Sequence, residues 1–257
     1  MDRIILKKPD INSLNRKGYI CFDMHIHSEY SSDSDSKITS IIKRAKELGI
    51  SIAITDHNDI RGCIEAYKQK KIPVIPAIEA RSKEGLDILF YFSKIDELID
   101  FYKKIVEPNK GKLSRIKLSA LNLIENSSNY NRIVALAHPF RPSIIRTISG
   151  KIKIKNKKLI LNKIKTFEVI NSKNFRIFNK KAIEIANKKN KNIVGGSDSH
   201  NIRTIGTTLT CIKKVNKYTA LHILNEIANN NVLVIGKEMN LFFDLIESGY
   251  SIVRKLI

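Results

Sequence analysis

Five of the six histidines in this 257-residue chain, His25, His27, His57, His138 and His200, stand at the ends of short apolar runs. In the stretch FDMHIHSEYSSDSDS, His25 and His27 are one residue apart. Side chains of an extended segment alternate between faces, so both imidazoles point the same way. Two imidazoles alone hold a metal ion poorly, and further ligands must come from elsewhere. Carboxylates occur at matching places: Asp33 just downstream, Asp56 beside His57, then Glu79, Asp87, and Asp198 two residues before His200. Imidazole with carboxylate and without thiolate suits Zn, Mn or Fe in a hydrolytic site. Glu79 has two oxygens and can bridge two ions.

The elements that must position these residues read as strands alternating with helices. Strands are expected at 19–25, 50–55, 72–79, 87–92, 132–137, 167–170, 192–200, 207–212 and 232–236. Between them, KITSIIKRAKELG places apolar residues at 38, 41, 42, 45 and 48, one face of a helix that Gly49 closes. Further helices are expected at 61–70, 95–106, 117–127, 176–190 and 217–229. This rhythm predicts parallel strands with helices outside, whose C-terminal ends converge on one mouth. The segment 149–165 reads either as a surface β-ribbon or as an excursion loop. The chain is expected to divide into an N-terminal extension at 1–18, the strand–helix unit at 19–236 and a closing amphipathic helix at 237–257.

Each piece has an ordinary reading as well. TDHN suits a helix N-cap, AHPF a strand end with a core histidine, and GGSDSH a turn with glycines for the bend. All five pieces together, each at a strand end, point instead to one pocket.

The order DMHIHS…SSDS, AITDHND, AIEAR, AHPF, GGSDSH closely resembles the PHP (polymerase and histidinol phosphatase) family, from about Tyr19 to about Gly236. The resemblance implies an α/β fold, a distorted seven-stranded (β/α) barrel, with two or three divalent metal ions in its mouth and phosphoesterase activity. By position it implies that His25, His27, Glu79 and Asp198 hold a first ion. Asp33, His57 and His200 would hold a second, and Glu79, Asp87 and His138 a third. Asp87 stands where the family often has histidine. Asp35 lies close to Asp33, which fits the family spacing better. Asp23 and Asp56 flank ligand histidines and would orient them, and Asp56 also joins the catalytic candidates.

A metal-dependent hydrolysis needs cations beside the phosphate. Arg141, three residues after His138, and Arg81, two after Glu79 on the same strand face, are the candidate phosphate clamps, with Arg203 a weaker third. Ser28, Ser31 and Ser199 read as loop residues rather than nucleophiles, and His222 as a helix residue. The expected function is hydrolysis of phosphate monoesters, of a small molecule or a nucleotide. The alternatives are a nuclease, a histidinol phosphatase, and a basic nucleic-acid-binding protein on an inactive barrel. Amidohydrolases also begin with His-x-His, but Glu79 after the third strand and the Asp198–His200 pair favour PHP.

The formal net charge is +21. Residues 151–191 hold fourteen Lys or Arg against Glu168 and Glu184, a field that could guide a polynucleotide; a chain rich in Lys, Asn and Ile throughout would also show it by composition. No apolar run approaches a membrane span, and the N-terminus lacks a signal-peptide pattern. Cys21, Cys63 and Cys211 lie far apart without paired spacing, which argues against a disulfide and for a reducing cytoplasm.

Overall fold

The structure is a computed structural model that describes residues 3–111, 115–141 and 157–238. Its strands are β1 (Ile4–Leu6), β2 (Tyr19–Ile26), β3 (Ser51–Ile54), β4 (Val74–Ile75), β5 (Ala77–Arg81), β6 (Asp87–Phe92), β7 (Arg132–Leu136), β8 (Thr166–Asn171), β9 (Asn192–Gly196), β10 (Thr208–Lys213) and β11 (Leu233–Gly236). The helices that bear on the argument are α1 (Ile11–Arg16), α2 (Ile38–Leu48) and α3 (Arg61–Gln69). Helix α2 buries Ile38, Ile41, Ile42 and Ala45, the face expected from spacing, and ends at Gly49 in the left-handed region.

Two sheets build a distorted α/β barrel of the PHP type. One runs β1-β11-β10-β2-β3-β4 and the other β5-β6-β7-β8-β9. The apolar run at 72–79 divides between them: Pro76, which has no N–H for a ladder, separates β4 in one sheet from β5 in the other. The sheets meet at two parallel bridges, Ile26 to Ser199 and His57 to Glu79. At the first, His27 N donates to Ser199 O (2.8 Å) and Ser199 N to His25 O (3.3 Å); at the second, Asn58 N donates to Glu79 O (2.9 Å). The residues that close the barrel are therefore the candidate ligands or their neighbours.

The strands are not all parallel. β6 runs antiparallel to both β5 and β7, and β10 antiparallel to β2 and β11. A five-residue turn between β5 and β6 is too short for the crossover that parallel pairing needs. In consequence Asp87, the first residue of β6, lies at the mouth: Ala137 N, just past the end of β7, donates to Asp87 O (3.2 Å).

Three further points differ from expectation. Cys21 and Cys211 form a disulfide across 190 residues, because antiparallel pairing of β2 with β10 sets them directly opposite, with Cα atoms 4.1 Å apart. Sequence separation says nothing about such a contact. Residues 157–163 are helical rather than part of a ribbon, and the rest of that basic segment through 156 lies outside the described residues. The region 1–18 supplies β1, paired in parallel with β11, and helix α1. The expected closing helix at 237–257 lies almost wholly outside the described residues. Among the described residues, no helix is long and apolar enough to cross a membrane.

Candidate metal centre

Glu79 sits at the middle of the mouth, fully buried on β5. Four imidazoles surround its carboxylate. His57 Nδ1 is 2.9 Å from Oε2, His27 Nε2 3.4 Å, His25 Nε2 3.5 Å, and His138 Nε2 is 3.3 Å from Oε1. Yet among the described residues no well-aligned hydrogen bond reaches either Glu79 oxygen or either ring nitrogen of His138; the imidazoles crowd the carboxylate without completing its shell. Buried polar atoms are nearly always satisfied, so a cluster of unsatisfied ones calls for a ligand.

The ring orientations show which ligand. His25 Nδ1 lies 2.9 Å from Glu168 Oε1, which leaves Nε2 aimed into the basin. Ser31 Oγ donates to Asp33 Oδ1 (2.8 Å), so it accepts from His27 Nδ1 (3.1 Å), again freeing Nε2. His200 Nδ1 donates to Asp198 O (2.8 Å), with Nε2 turned toward Asp33 Oδ2 (3.0 Å). Three rings thus have Nδ1 engaged and Nε2 presented, the tautomer that binds metal ions. His25 Nε2 and His27 Nε2 come within 3.1 Å of each other. The two nitrogens share one position, which a proton or a metal ion can occupy.

Sets of these groups lie within reach of a single ion: His25, His27 and Asp198; His25, Glu79 and His138; His27, Asp33, His57 and His200; and His57, Glu79 and Asp87. Asp33 Oδ2 is 3.3 Å from His57 Nε2, whereas Asp35 is exposed. Asp198 Oδ1 is 3.3 Å from His27 Nε2. Asp198 and His138 both take positive φ (54° and 27°), as does Asn58 (54°). Non-glycine residues held there store backbone strain of about 1–3 kcal/mol each, a pattern found at functional sites.

The electrostatics agree. Burial pushes the His57 imidazole down, but Glu79 and Asp33 outweigh it and raise it to about 10. His25 behaves alike: burial opposes, while Glu168, Asp198 and Glu79 lift it well above its ordinary value. His27 is lowered to about 3 by burial and by the charges of His200 and His57, so it stays neutral. A field that favours imidazolium favours a divalent cation equally.

The arginines reach this basin, but each is engaged by a carboxylate. Arg141 Nη1 is 3.0 Å from Asp198 Oδ2, and Arg81 forks onto both oxygens of Asp87. Arg203 is exposed. Asp56 faces Ser28 instead of the ligands, accepting from its N and Oγ (2.6 Å each), and burial raises its carboxyl to about 7. Asp23 accepts from Ser197 N (2.9 Å) and Gly206 N (2.8 Å), tying the β9 loop to β2; burial raises it to about 6. His222 lies near a helix start, its N–H donating to Thr219.

Sequence reasoning missed Glu168. Besides His25, it accepts from His138 N (2.7 Å) and Asn171 Nδ2 (3.0 Å), so one buried carboxylate orients two ligand positions. The available signal was a lone acid inside the apolar strand FEVI, since an ionisable group is rarely buried without a partner. Ser31, read as a loop residue, is a second omission, because its hydroxyl links His27, Asp33 and the His57 N–H. The glycines of GGSDSH serve close approach rather than a bend. A Cβ at Gly196 would fall 2.6 Å from the His25 backbone nitrogen.

Fold and site together define a distorted α/β barrel with a basin of imidazoles and carboxylates at its mouth. The family model of the PHP domain matches residues 23–188, and the PHP-associated model matches 176–232. The chain belongs to the PHP family. It is 33% identical over 115 residues, 44% of its own length, to DNA polymerase III subunit alpha of Borreliella burgdorferi. It is 39% identical over 144 residues, 51% of its length, to an uncharacterised protein of Methanocaldococcus jannaschii. It spans 9% of the length of the first and 73% of the second. Among solved structures it is similar to the lesion-specific endonuclease Q of Pyrococcus furiosus, with a TM-score of 0.62 and 20% identity, over 82% of this chain and 56% of that one.

Proposed function

We propose that this protein hydrolyses phosphate monoesters, of a small molecule or a nucleotide, at a centre of divalent ions. The observation that carries this reading is the shell of four imidazoles around the buried Glu79 carboxylate, which no well-aligned hydrogen bond satisfies among the described residues. His25, His27, Glu79 and Asp198 would hold one ion; Asp33, His57 and His200 would hold a second, with Glu79 bridging. When bound, the ions would supply Lewis-acid activation of water and of a phosphoryl oxygen.

The chain's own residues do the remaining work. Glu168, Ser31 and the Asp198 carbonyl keep the Nε2 atoms pointed inward. Arg141, 27% exposed beside Asp198, is placed to meet a phosphate oxygen with its planar fork. Asp33 and His200 form the more exposed edge of the cluster, from which the ester and water would approach.

A second reading, a nuclease, draws on the likeness to endonuclease Q and the polymerase subunit and on the net charge of +21. The test is to load the protein with Mn, Zn or Fe and to offer p-nitrophenyl phosphate, its bis-ester, nucleotides and a labelled oligonucleotide. Monoester turnover that disappears on chelation and in His27→Ala is expected. Turnover that survives both treatments would sink the metal-centred reading, and cleavage of the oligonucleotide alone would select the nuclease.

A further inference from the structure

We propose that Arg81 takes the place of a third divalent ion, so that the centre binds two ions beside a fixed guanidinium; this rests on the metal-centred reading above. Arg81 and Asp87 are the cross-strand pair next to the turn of the β5–β6 hairpin, and Arg81 shares its strand face with Glu79. The side chains meet as a fork: Nε lies 2.6 Å from Asp87 Oδ1, and Nη2 lies 3.0 Å from Oδ2. Each Asp87 oxygen carries a charge-assisted donor, so the carboxylate is not free to chelate an ion with both oxygens. Nη2 also comes within 3.5 Å of His57 Nε2, so the positive charge lies between two members of the His57, Glu79 and Asp87 set. The Arg81 backbone is held too, its N–H donating to Asn58 Oδ1 (2.9 Å).

An ion chelated by Asp87 would have to break this bidentate pair, and one bound through a single oxygen would lie against a guanidinium of like charge. His138 does not depend on that ion. It stands 3.9 Å from Asp87 Oδ2 but 3.3 Å from Glu79 Oε1, and it belongs to a compact set with His25 and Glu79. Its Nε2 could thereby be met by an ion that it shares with His25 and Glu79. Charge points the same way. Asp33, Glu79, Asp87, Glu168 and Asp198 crowd the basin, while Arg81 and Arg141 neutralise Asp87 and Asp198. Two divalent ions already exceed the negative charge that remains.

The test is metal content after loading with excess Mn and gel filtration, read by mass spectrometry of the native protein, with circular dichroism to confirm folding. About two ions per chain are expected in the parent, in Arg81→Lys and in Asp87→Asn, and about three in Arg81→Met. A parent that holds three, losing one in Asp87→Asn, would overturn the proposal. So would a folded Arg81→Met that still holds two. A parent that holds none would instead remove the metal centre itself.

Discussion

The two ends of strand β2 are built on opposite principles. Its first half, Tyr19–Phe22, pairs residue by residue with β10, and Cys21 is bonded to Cys211 there. Beyond Asp23 the strand leaves β10, its register against β3 shifts, and it meets the segment after β9 through the Ile26–Ser199 bridge. The lower end satisfies its own groups with a ladder, a covalent link and apolar contacts. The upper end gathers His25, His27, Glu79 and Asp198 with contacts that only a cation completes. Stability and chemistry are thus separated along one strand by about 13–20 Å of extended chain.

That contrast can be broken from either end. Asp198→Ala should abolish phosphoesterase turnover, by about a thousandfold or more, while leaving the lower end and its disulfide intact; steady-state kinetics together with a thiol count check both halves. Replacing Cys21 and Cys211 together by Ala should cost about 2–4 kcal/mol of unfolding free energy with metal content unchanged, measured by urea titration and elemental analysis. If the double variant lost its metal, the two ends would not be independent. Glu168→Gln keeps the shape but removes the charge behind His25, and metal affinity should fall about 10–100-fold by competition with a chelator.

Acidity sharpens the comparison further. His57 is raised from an ordinary 6.5 to about 10 because Glu79 and Asp33 outweigh burial. In the metal-free protein, the stabilisation from this pair is complete below pH 6.5 and lost as pH rises through about 10. Ion binding runs the other way, since an ion must displace the proton: affinity should strengthen as pH rises, by up to about tenfold per unit for each proton released, seen as buffer-dependent heats in calorimetry. The smallest effect is expected for Arg203→Ala, which is exposed and should change kcat/KM by less than about twofold.

How far this was legible in the sequence depended on whether the cause was local. Helix α2 was readable because its apolar spacing and Gly49 state both its face and its end. The nine expected ligands all line the basin, because residues at strand ends in a barrel converge whatever their separation. What could not be read arose from pairing across the sheets. The Cys21–Cys211 contact, the antiparallel course of β6 and the Arg81–Asp87 fork follow from register between strands, and no local pattern records it. Glu168 was hidden for a related reason: it stands within its strand rather than at the end, and a bulge near Ile170 accompanies its turn toward His25.

Because β6 enters the basin with its first residue, the turn from Ser82 to Leu86 overhangs the rim instead of the closed floor. Ser82 N and Leu86 O clamp its base (2.9 Å), and Gly85 supplies the positive φ at its tip (81°). Lengthening this turn would raise or lower a wall beside the entrance without touching a metal-binding side chain. The length of the hairpin turn is thereby independent of the residues that face the basin.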